Sequence, residues 1–151
     1  LPTGDAHFML GNLDRRSGNM ESAIGHYQQA AQSGSEQAQR ELVSLELPSN
    51  PGKYIQSKAA LGQDGYVNAA VRNNSPVSVG GIRVKLEYID SNGKRRESTM
   101  TFRQTFKAGE WAALPTKIRD IKDSNELQRR VRVTVISARV VDDGRQQGRK
   151  T

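Results

Sequence analysis

The sequence predicts an α+β chain in which a short helical segment precedes an antiparallel β-sandwich. Before residue 47 the apolar residues recur with the helical period of about 3.6, and after residue 52 they alternate with the period of two that is typical of strands. The residues between, 47–52, hold two prolines and one glycine, which end helices and start turns. We therefore expect two small domains in this chain of 151 residues.

The net charge changes at the same boundary. Residues 1–55 carry four basic and six acidic side chains, a net charge of −2, whereas residues 56–151 carry nineteen and ten, a net charge of +9. All of the excess positive charge of the chain, +7 in total, therefore comes from the second segment.

Three helices are predicted in the first segment. They lie near residues 5–16, 20–32 and 35–46. The middle helix carries one apolar stripe with the spacing of a single helix face. Its members are Met20, Ala23, Ile24, Tyr27, Ala30 and Ala31. Gly18-Asn19 and Gly34-Ser35 each supply a left-handed stop followed by a capping residue, and such short loops make the first two helices an antiparallel hairpin.

Six or seven short strands are predicted in the second segment, where apolar and polar residues alternate between turn residues. The clearest runs are Val67/Ala69/Val71, Ile82/Val84/Leu86/Tyr88, Met100/Phe102 and Val131/Val133/Val135. Asn92-Gly93 predicts a type I′ hairpin turn, and Gly80-Gly81 and Ala108-Gly109 predict further turns. The alternation changes phase at Ile136, which indicates a β-bulge or a sheet edge. Because no helical pattern intervenes, we expect an antiparallel sandwich.

The sequence predicts no catalytic, metal or cofactor site. It has no Cys, which excludes thiol nucleophiles and thiolate zinc sites. Neither His7 nor His26 has a second ligand at the i+3 or i+4 spacing of a helical metal site, so we expect packed or surface helix residues. Nucleophile-elbow, P-loop and dinucleotide motifs are missing, and no apolar run approaches about 18 residues. We expect a non-enzymatic chain without a transmembrane segment.

Basic residues of the second segment form three clusters. These are Lys94-Arg95-Arg96, Arg129-Arg130-x-Arg132 and Arg145/Arg149/Lys150. They allow a solvated face, a surface for anionic protein, lipid head groups or envelope polymer, or a nucleic-acid site. Nucleic acid is the least favoured, because only 5% of the residues are aromatic and could stack on bases. The candidate binding residues are Lys94, Arg95 and Arg96, and we expect Trp111 to pack against the sheet rather than to anchor a partner.

The first segment resembles a tetratricopeptide repeat, and its end is similar to the Sel-like variant. The resemblance rests on Ala6-x3-Leu10-Gly11, Gly18, Ala23, Tyr27 and the ending Ala30-Ala31-x2-Gly34-x3-Ala38-x3-Leu42. It implies a helical hairpin plus one helix over residues 1–47, with Leu10 and Tyr27 filling the seam. Ligands of this family lie along the first helix of each hairpin. The resemblance therefore implies that Phe8, Asn12 and Arg15 face a groove for a protein or peptide.

The second segment resembles the FxLYD type of bacterial immunoglobulin-like sandwich. The matching stretches are Gly65-Tyr66-Val67-x3-Val71-x-Asn73-Asn74-Ser75, Val84-x-Leu86-x-Tyr88-x-Asp90-x2-Gly93 and Phe106-x2-Gly109-Glu110. The resemblance implies an immunoglobulin-like β-sandwich over residues 52–141, followed by a flexible basic tail at residues 142–151.

The order of the parts resembles the C-terminal region of periplasmic BepA-like zinc metallopeptidases. A helical repeat, then Asn50-Pro51-x2-Tyr54-Ile55, then the sandwich carry this resemblance. It implies an accessory, non-catalytic region in the periplasm or cell envelope of a bacterium, which positions or docks a protein partner while the catalytic domain lies upstream. A basic module that binds anionic envelope polymer or lipid head groups is the alternative.

Overall fold

The computed structural model describes residues 3–141 and divides the chain into two compact units, Leu1–Glu46 and Leu47–Thr151. Within the described residues there are four α-helices and two antiparallel sheets of three strands each, which confirms the predicted α+β class. The predicted basic tail at 142–151 lies outside the described residues. None of the helices described is both long enough and apolar enough to cross a membrane.

The first unit contains the three predicted helices. They are α1 (Gly4–Arg16), α2 (Met20–Gln32) and α3 (Glu36–Glu46). The hydroxyl of Thr3 caps α1 by accepting a hydrogen bond from the backbone N–H of Ala6, 3.2 Å away. Gly18 and Gly34 have positive φ angles of 80° and 95°, as the predicted left-handed stops require.

Tyr27 is the centre of the small core in the first unit. It is fully buried with Ala23, Ala30 and Ala38, and its hydroxyl donates to Asn12 Oδ1 over 2.6 Å. Other apolar side chains surround this cluster; they are Phe8, Ala31, Leu42 and Leu45. Gly11 of α1 lies directly against the Tyr27 ring. Leu10 was predicted to fill the seam, but it is 41% exposed, because Gly11 occupies the position that faces α2.

The second unit contains six strands and one further helix among the described residues. The strands are β1 (Ile55–Leu61), β2 (Val67–Asn73), β3 (Val79–Ile89), β4 (Arg95–Phe102), β5 (Trp111–Pro115) and β6 (Val131–Val140). One sheet has the order β1-β2-β5 and the other β4-β3-β6. The sheets contact each other through β1 and β6, where the Ser57 hydroxyl donates to the carbonyl of Val133 over 3.0 Å.

Helix α4 (Ser124–Arg130) is a departure from the expectation that no helix interrupts the strands. Asp123 caps it, with a side-chain oxygen 2.9 Å from the backbone N–H of Glu126. An acidic residue followed three positions later by Glu is a helix-start pattern that sequence reasoning could have used.

Two predicted turns differ from the structure. Gly80-Gly81 lies inside β3, where Gly81 has a φ of 60° and the pairing with β6 gains an extra β3 residue between Gly80 and Arg83. The Asn92-Gly93 turn is not type I′, since only Gly93 has a positive φ. It is a three-residue loop closed by a hydrogen bond from Gly93 N to the carbonyl of Asp90 over 2.9 Å.

The predicted change of phase at Ile136 is a β-bulge. The pairs Arg83↔Ser137 and Val84↔Val135 are adjacent on β3 but two residues apart on β6, so Ile136 is the extra residue. An extra residue turns the following side chains to the other face of a strand. The bulge therefore explains why the inward positions change after Val135.

Asn73 is a fully buried polar residue at the end of β2. Its amide donates to the carbonyls of Val77 and Phe106 over 2.7 and 3.0 Å, and its side-chain oxygen accepts from the N–H and the hydroxyl of Ser75 at 3.0 and 2.7 Å. All four hydrogen-bonding positions of the side chain are thus occupied. The backbone of Asn73 also pairs with Gly109 and Glu110.

The substitution Gly11→Ala should destabilise the first unit by about 1–3 kcal/mol, because the added Cβ would lie 2.7 Å from Tyr27 Cε1 and overpack the core. The matched control is Gly25→Ala on α2, where nothing lies within 4 Å of the new Cβ and the better helix propensity of Ala should stabilise by about 0.5–1 kcal/mol. Thermal unfolding followed by circular dichroism at the helical band measures both. Equal shifts for the two variants would contradict this packing.

Asn73→Ala should lower the free energy of unfolding of the second unit by about 2–3 kcal/mol, because the buried carbonyls of Val77 and Phe106 each lose one of two hydrogen bonds and the N–H of Ser75 loses its side-chain acceptor. The neighbouring Asn74→Ala is the control, since the Asn74 side chain is exposed and makes one long bond of 3.4 Å to Gln56. We expect a change below about 0.5 kcal/mol for it. Hydrogen exchange of the β2 and β3 amides at increasing urea concentrations measures the free energy of unfolding of both variants. A similar loss of stability in both would refute the role of Asn73.

Candidate functional site

The three predicted groove residues of the first unit make contacts within that unit. Phe8 is half-buried, with its ring centroid 5.8 Å from that of Tyr27, and Asn12 accepts the Tyr27 hydroxyl. Arg15 forms an ion pair with Glu41 that joins α1 to α3. These contacts give each side chain a structural role, and a groove for a peptide along α1 stays a prediction.

The structure separates the three predicted basic residues at the β3–β4 hairpin. Lys94 is exposed in the loop, and its backbone N–H donates to Asp90 Oδ1 over 2.9 Å. Arg96 pairs with Asp90 Oδ2 at 3.1 Å. The Lys94 N–H and the Arg96 guanidinium together lower the pKa of the Asp90 carboxyl. Only Arg95 joins a larger basic site.

That site is a cavity of about 130 Å³, here called the arginine pocket. Its charged lining residues are Arg95 of β4, Arg129 and Arg130 of α4, Arg132 of β6 and Glu87 of β3. The pairs Ile89↔Arg95 and Glu87↔Arg132 place β4 and β6 on either side of the same end of β3. The register thereby unites basic clusters that lie more than thirty residues apart in the sequence.

Arg130 anchors the arginine pocket and is already neutralised. Its guanidinium lies 2.7 Å from Asp120 Oδ2 and 2.5 Å from Glu126 Oε1, and its Nε donates to the Ile89 carbonyl over 2.8 Å. The bond from Arg130 is the main cause that lowers the pKa of Asp120, and burial is the main cause that raises the pKa of Tyr88.

The other three arginines of the pocket have free guanidinium groups. Within residues 3–141, Arg95, Arg129 and Arg132 make no ion pair or side-chain hydrogen bond, and Glu87 is the one acidic residue of the lining. The pocket therefore retains an excess of positive charge. It lies beside the C-terminal end of α4, which the ion pairs of Arg130 hold in place.

A second surface lies on the outer face of the β1-β2-β5 sheet, here called the Trp111 surface. It is a shallow depression of about 580 Å³ that crosses all three strands. Its polar and charged rim consists of Gln56, Lys58, Asn68 and Arg72, with Trp111 at the β5 edge. Three alanines, Ala60, Ala70 and Ala113, form the floor.

The depression arises from the cross-strand register. Arg72 is paired with Gln56 on one side and with Trp111 on the other, so that three large side chains stand in one row. The next row on the same face lies two residues further along each strand and consists of Lys58, Ala70 and Ala113. Its two alanines are small and leave space beside the row of large side chains.

Trp111 was predicted to pack against the sheet, and this prediction is wrong. Its side chain is 68% exposed. The pairing of Trp111 with Arg72 places it on the outer face, whereas Ala112, paired with the buried Val71, points inward. In a strand of only five residues that begins at Trp111, the alternation of apolar and polar residues does not show which residues face inward.

The structure forms the arginine pocket and the Trp111 surface from residues that the sequence did not connect. Within the described residues it does not form a metal site with three or more protein ligands. Among residues 3–141 no three His, Cys, Asp or Glu side chains converge. His7 and His26 do lie next to each other, with their Nδ1 atoms 3.4 Å apart.

Comparison with known protein families, with curated proteins and with solved structures finds no match to this chain. The resemblances drawn from its residues therefore stay predictions, and the function must be argued from the surfaces described above.

Proposed function

We propose that this chain is a non-catalytic protein-interaction module and that the Trp111 surface is its docking site. The observation that carries the proposal is the 68% exposed tryptophan, which stands beside an alanine floor and next to Arg72, with Lys58 on the opposite strand of the same surface. A tryptophan and an arginine adjacent to an apolar depression are the side chains that most often dominate the binding energy of protein interfaces.

The charge of the Trp111 surface indicates the partner. Its lining includes Lys58 and Arg72 and no acidic residue. Complementary charges favour an acidic polypeptide, which would steer toward the two cations and place an apolar side chain over the alanines against the indole ring. The proposed partner is accordingly an acidic protein segment with spaced apolar residues.

The resemblances suggest a setting for this docking. We take the second unit to be an immunoglobulin-like sandwich and the first a tetratricopeptide-type hairpin with one added helix. Together they would form an accessory region of a bacterial cell-envelope metallopeptidase or assembly factor, in the periplasm. The contact between the two antiparallel sheets and the buried Asn73 within the matching Asn73-Asn74-Ser75 stretch support this assignment.

Binding can be measured directly because Trp111 is the only tryptophan of the chain. A synthetic peptide that alternates Glu with Leu should shift its fluorescence saturably, and the matching Lys–Leu peptide should not. Arg72→Glu, which keeps the reporter, should weaken binding of the acidic peptide at least tenfold, since an attractive charge becomes repulsive beside the indole.

Arg103→Glu is the control for that substitution, because Arg103 is exposed and lies outside the lining of the Trp111 surface. It makes the same change in net charge, so it should leave the affinity within about twofold. The proposal fails if the acidic peptide leaves the fluorescence unchanged or if both variants weaken binding equally.

The arginine pocket favours a second candidate function, the binding of anionic groups of lipid, envelope polymer or nucleic acid. Arg95, Arg129 and Arg132 come from three elements and lack internal partners within the described residues. A cavity of about 130 Å³ has room for a phosphate group, and guanidinium groups bind phosphate oxygens in bidentate geometry. The shared ligand chemistry is therefore a phosphate group.

Replacement of Arg129 and Arg132 by Gln together should weaken phosphate binding at least tenfold, because two charge-assisted contacts are removed. Titration with inorganic phosphate, followed by the NMR signals of the arginine Nε–H groups, measures this. Flotation with phosphatidylglycerol vesicles and titration with single-stranded DNA identify the source of the phosphate. Arg103→Gln is the control, and an equal effect of that variant would show diffuse charge attraction instead of a pocket.

A further inference from the structure

The two histidines of the chain, His7 on α1 and His26 on α2, face each other across the helical hairpin. Their Nδ1 atoms are 3.4 Å apart, whereas the ring centroids are 5.6 Å apart and the rings are tilted by 30°. Because the nitrogens are 2.2 Å closer than the centroids, both Nδ1 atoms lie on the facing edges of the rings. Two nitrogen lone-pair positions therefore meet at one point between the helices.

The Asp14 carboxylate lies beside the second ring nitrogen of His26. Its Oδ2 atom lies 3.6 Å from His26 Nε2, on the far side of the ring from His7. That oxygen is buried and has no hydrogen-bond partner among the described residues. A carboxylate there favours the tautomer with the proton on Nε2, which leaves the lone pair of Nδ1 directed at His7.

We infer that His7 and His26 bind one divalent transition-metal ion through their Nδ1 atoms, with Asp14 as the positioning residue behind His26. A zinc–nitrogen bond of about 2.0–2.1 Å and a tetrahedral angle require two ligand nitrogens about 3.3–3.4 Å apart. The pair already has this separation. A carboxylate that accepts the other N–H of a ligating imidazole is the usual support of such a ligand. Asp14 Oδ2 lies 3.6 Å from His26 Nε2 and must come closer by about half an ångström to make that bond when the metal binds.

The proton balance of binding is simple. Without metal, a hydrogen bond between the nitrogens needs the proton of one ring on Nδ1, and His7 must supply it when His26 carries its proton on Nε2. Metal binding moves that His7 proton to Nε2, so both rings stay neutral and no electron is transferred.

The two histidines fill half of a tetrahedral ion's coordination positions, and water completes the rest. Asp14 lies behind His26 rather than at the Nδ1 atoms, and no group of three or more His, Cys, Asp or Glu side chains within residues 3–141 could hold a metal ion. Two imidazoles favour the later first-row ions, with Cu²⁺ bound more tightly than Zn²⁺ or Ni²⁺. The open positions make this an exchangeable site rather than a closed structural one.

Zinc titration of the full chain tests the site without ambiguity, because the chain has two His and no Cys. We expect one Zn²⁺ per chain, with the imidazole NMR signals of His7 and His26 shifting together. His7→Gln and His26→Gln should each abolish the coupled shift of the remaining ring. Circular dichroism without metal verifies that each variant keeps its helices.

Asp14→Asn should weaken Zn²⁺ binding by about 10–100-fold, as loss of an orienting carboxylate does in other sites. Asp5→Asn, an exposed acidic residue on the same helix, removes the same charge and should leave binding within about twofold. The inference is overturned if a zinc excess leaves either imidazole of the unsubstituted chain unchanged, or if both Asp variants bind alike.

Discussion

The buried side chain of Asn73 is the constraint on which the second unit depends. It connects the end of β2 to Val77 before β3 and to Phe106 before β5, all through hydrogen bonds without access to water. Leaving this buried amide without hydrogen bonds would destabilise the fold by more than the bonds themselves stabilise it. The three backbone segments are therefore held in one arrangement. The backbone of Asn73 pairs with Gly109 and Glu110 directly before β5, and the register that follows pairs Trp111 with Arg72 on the outer face.

Local patterns predicted the elements of this chain better than their ends and turns. The 3.6-residue stripe around Tyr27 and the alternation around Val84 each report burial of one face, so they predicted α2 and β3. Gly81 was misread as a turn, because a glycine with positive φ serves equally in a bulge and in a turn. Helix α4 was missed since its seven residues bury one side chain, Leu127.

The candidate sites could not be predicted, because each depends on long-range register. Arg95 and Arg132 meet only because β4 and β6 flank the same end of β3. His7 and His26 lie nineteen residues apart in the sequence, and they become neighbours only because α1 and α2 pack antiparallel. Local spacing rules test ligands within one helix, and these histidines belong to two.

The core of the first unit has a consequence for its local opening. Among the described residues of this unit, Tyr27 and the smaller Val43 of α3 are the fully buried side chains larger than alanine, and the other buried members of the Tyr27 cluster are alanines. Alanines remove little apolar surface from water, so this unit gains less hydrophobic free energy than the valine-rich sheets. Brief excursions to an open form should therefore be commoner in the helices, and proteases should cut there first under native conditions.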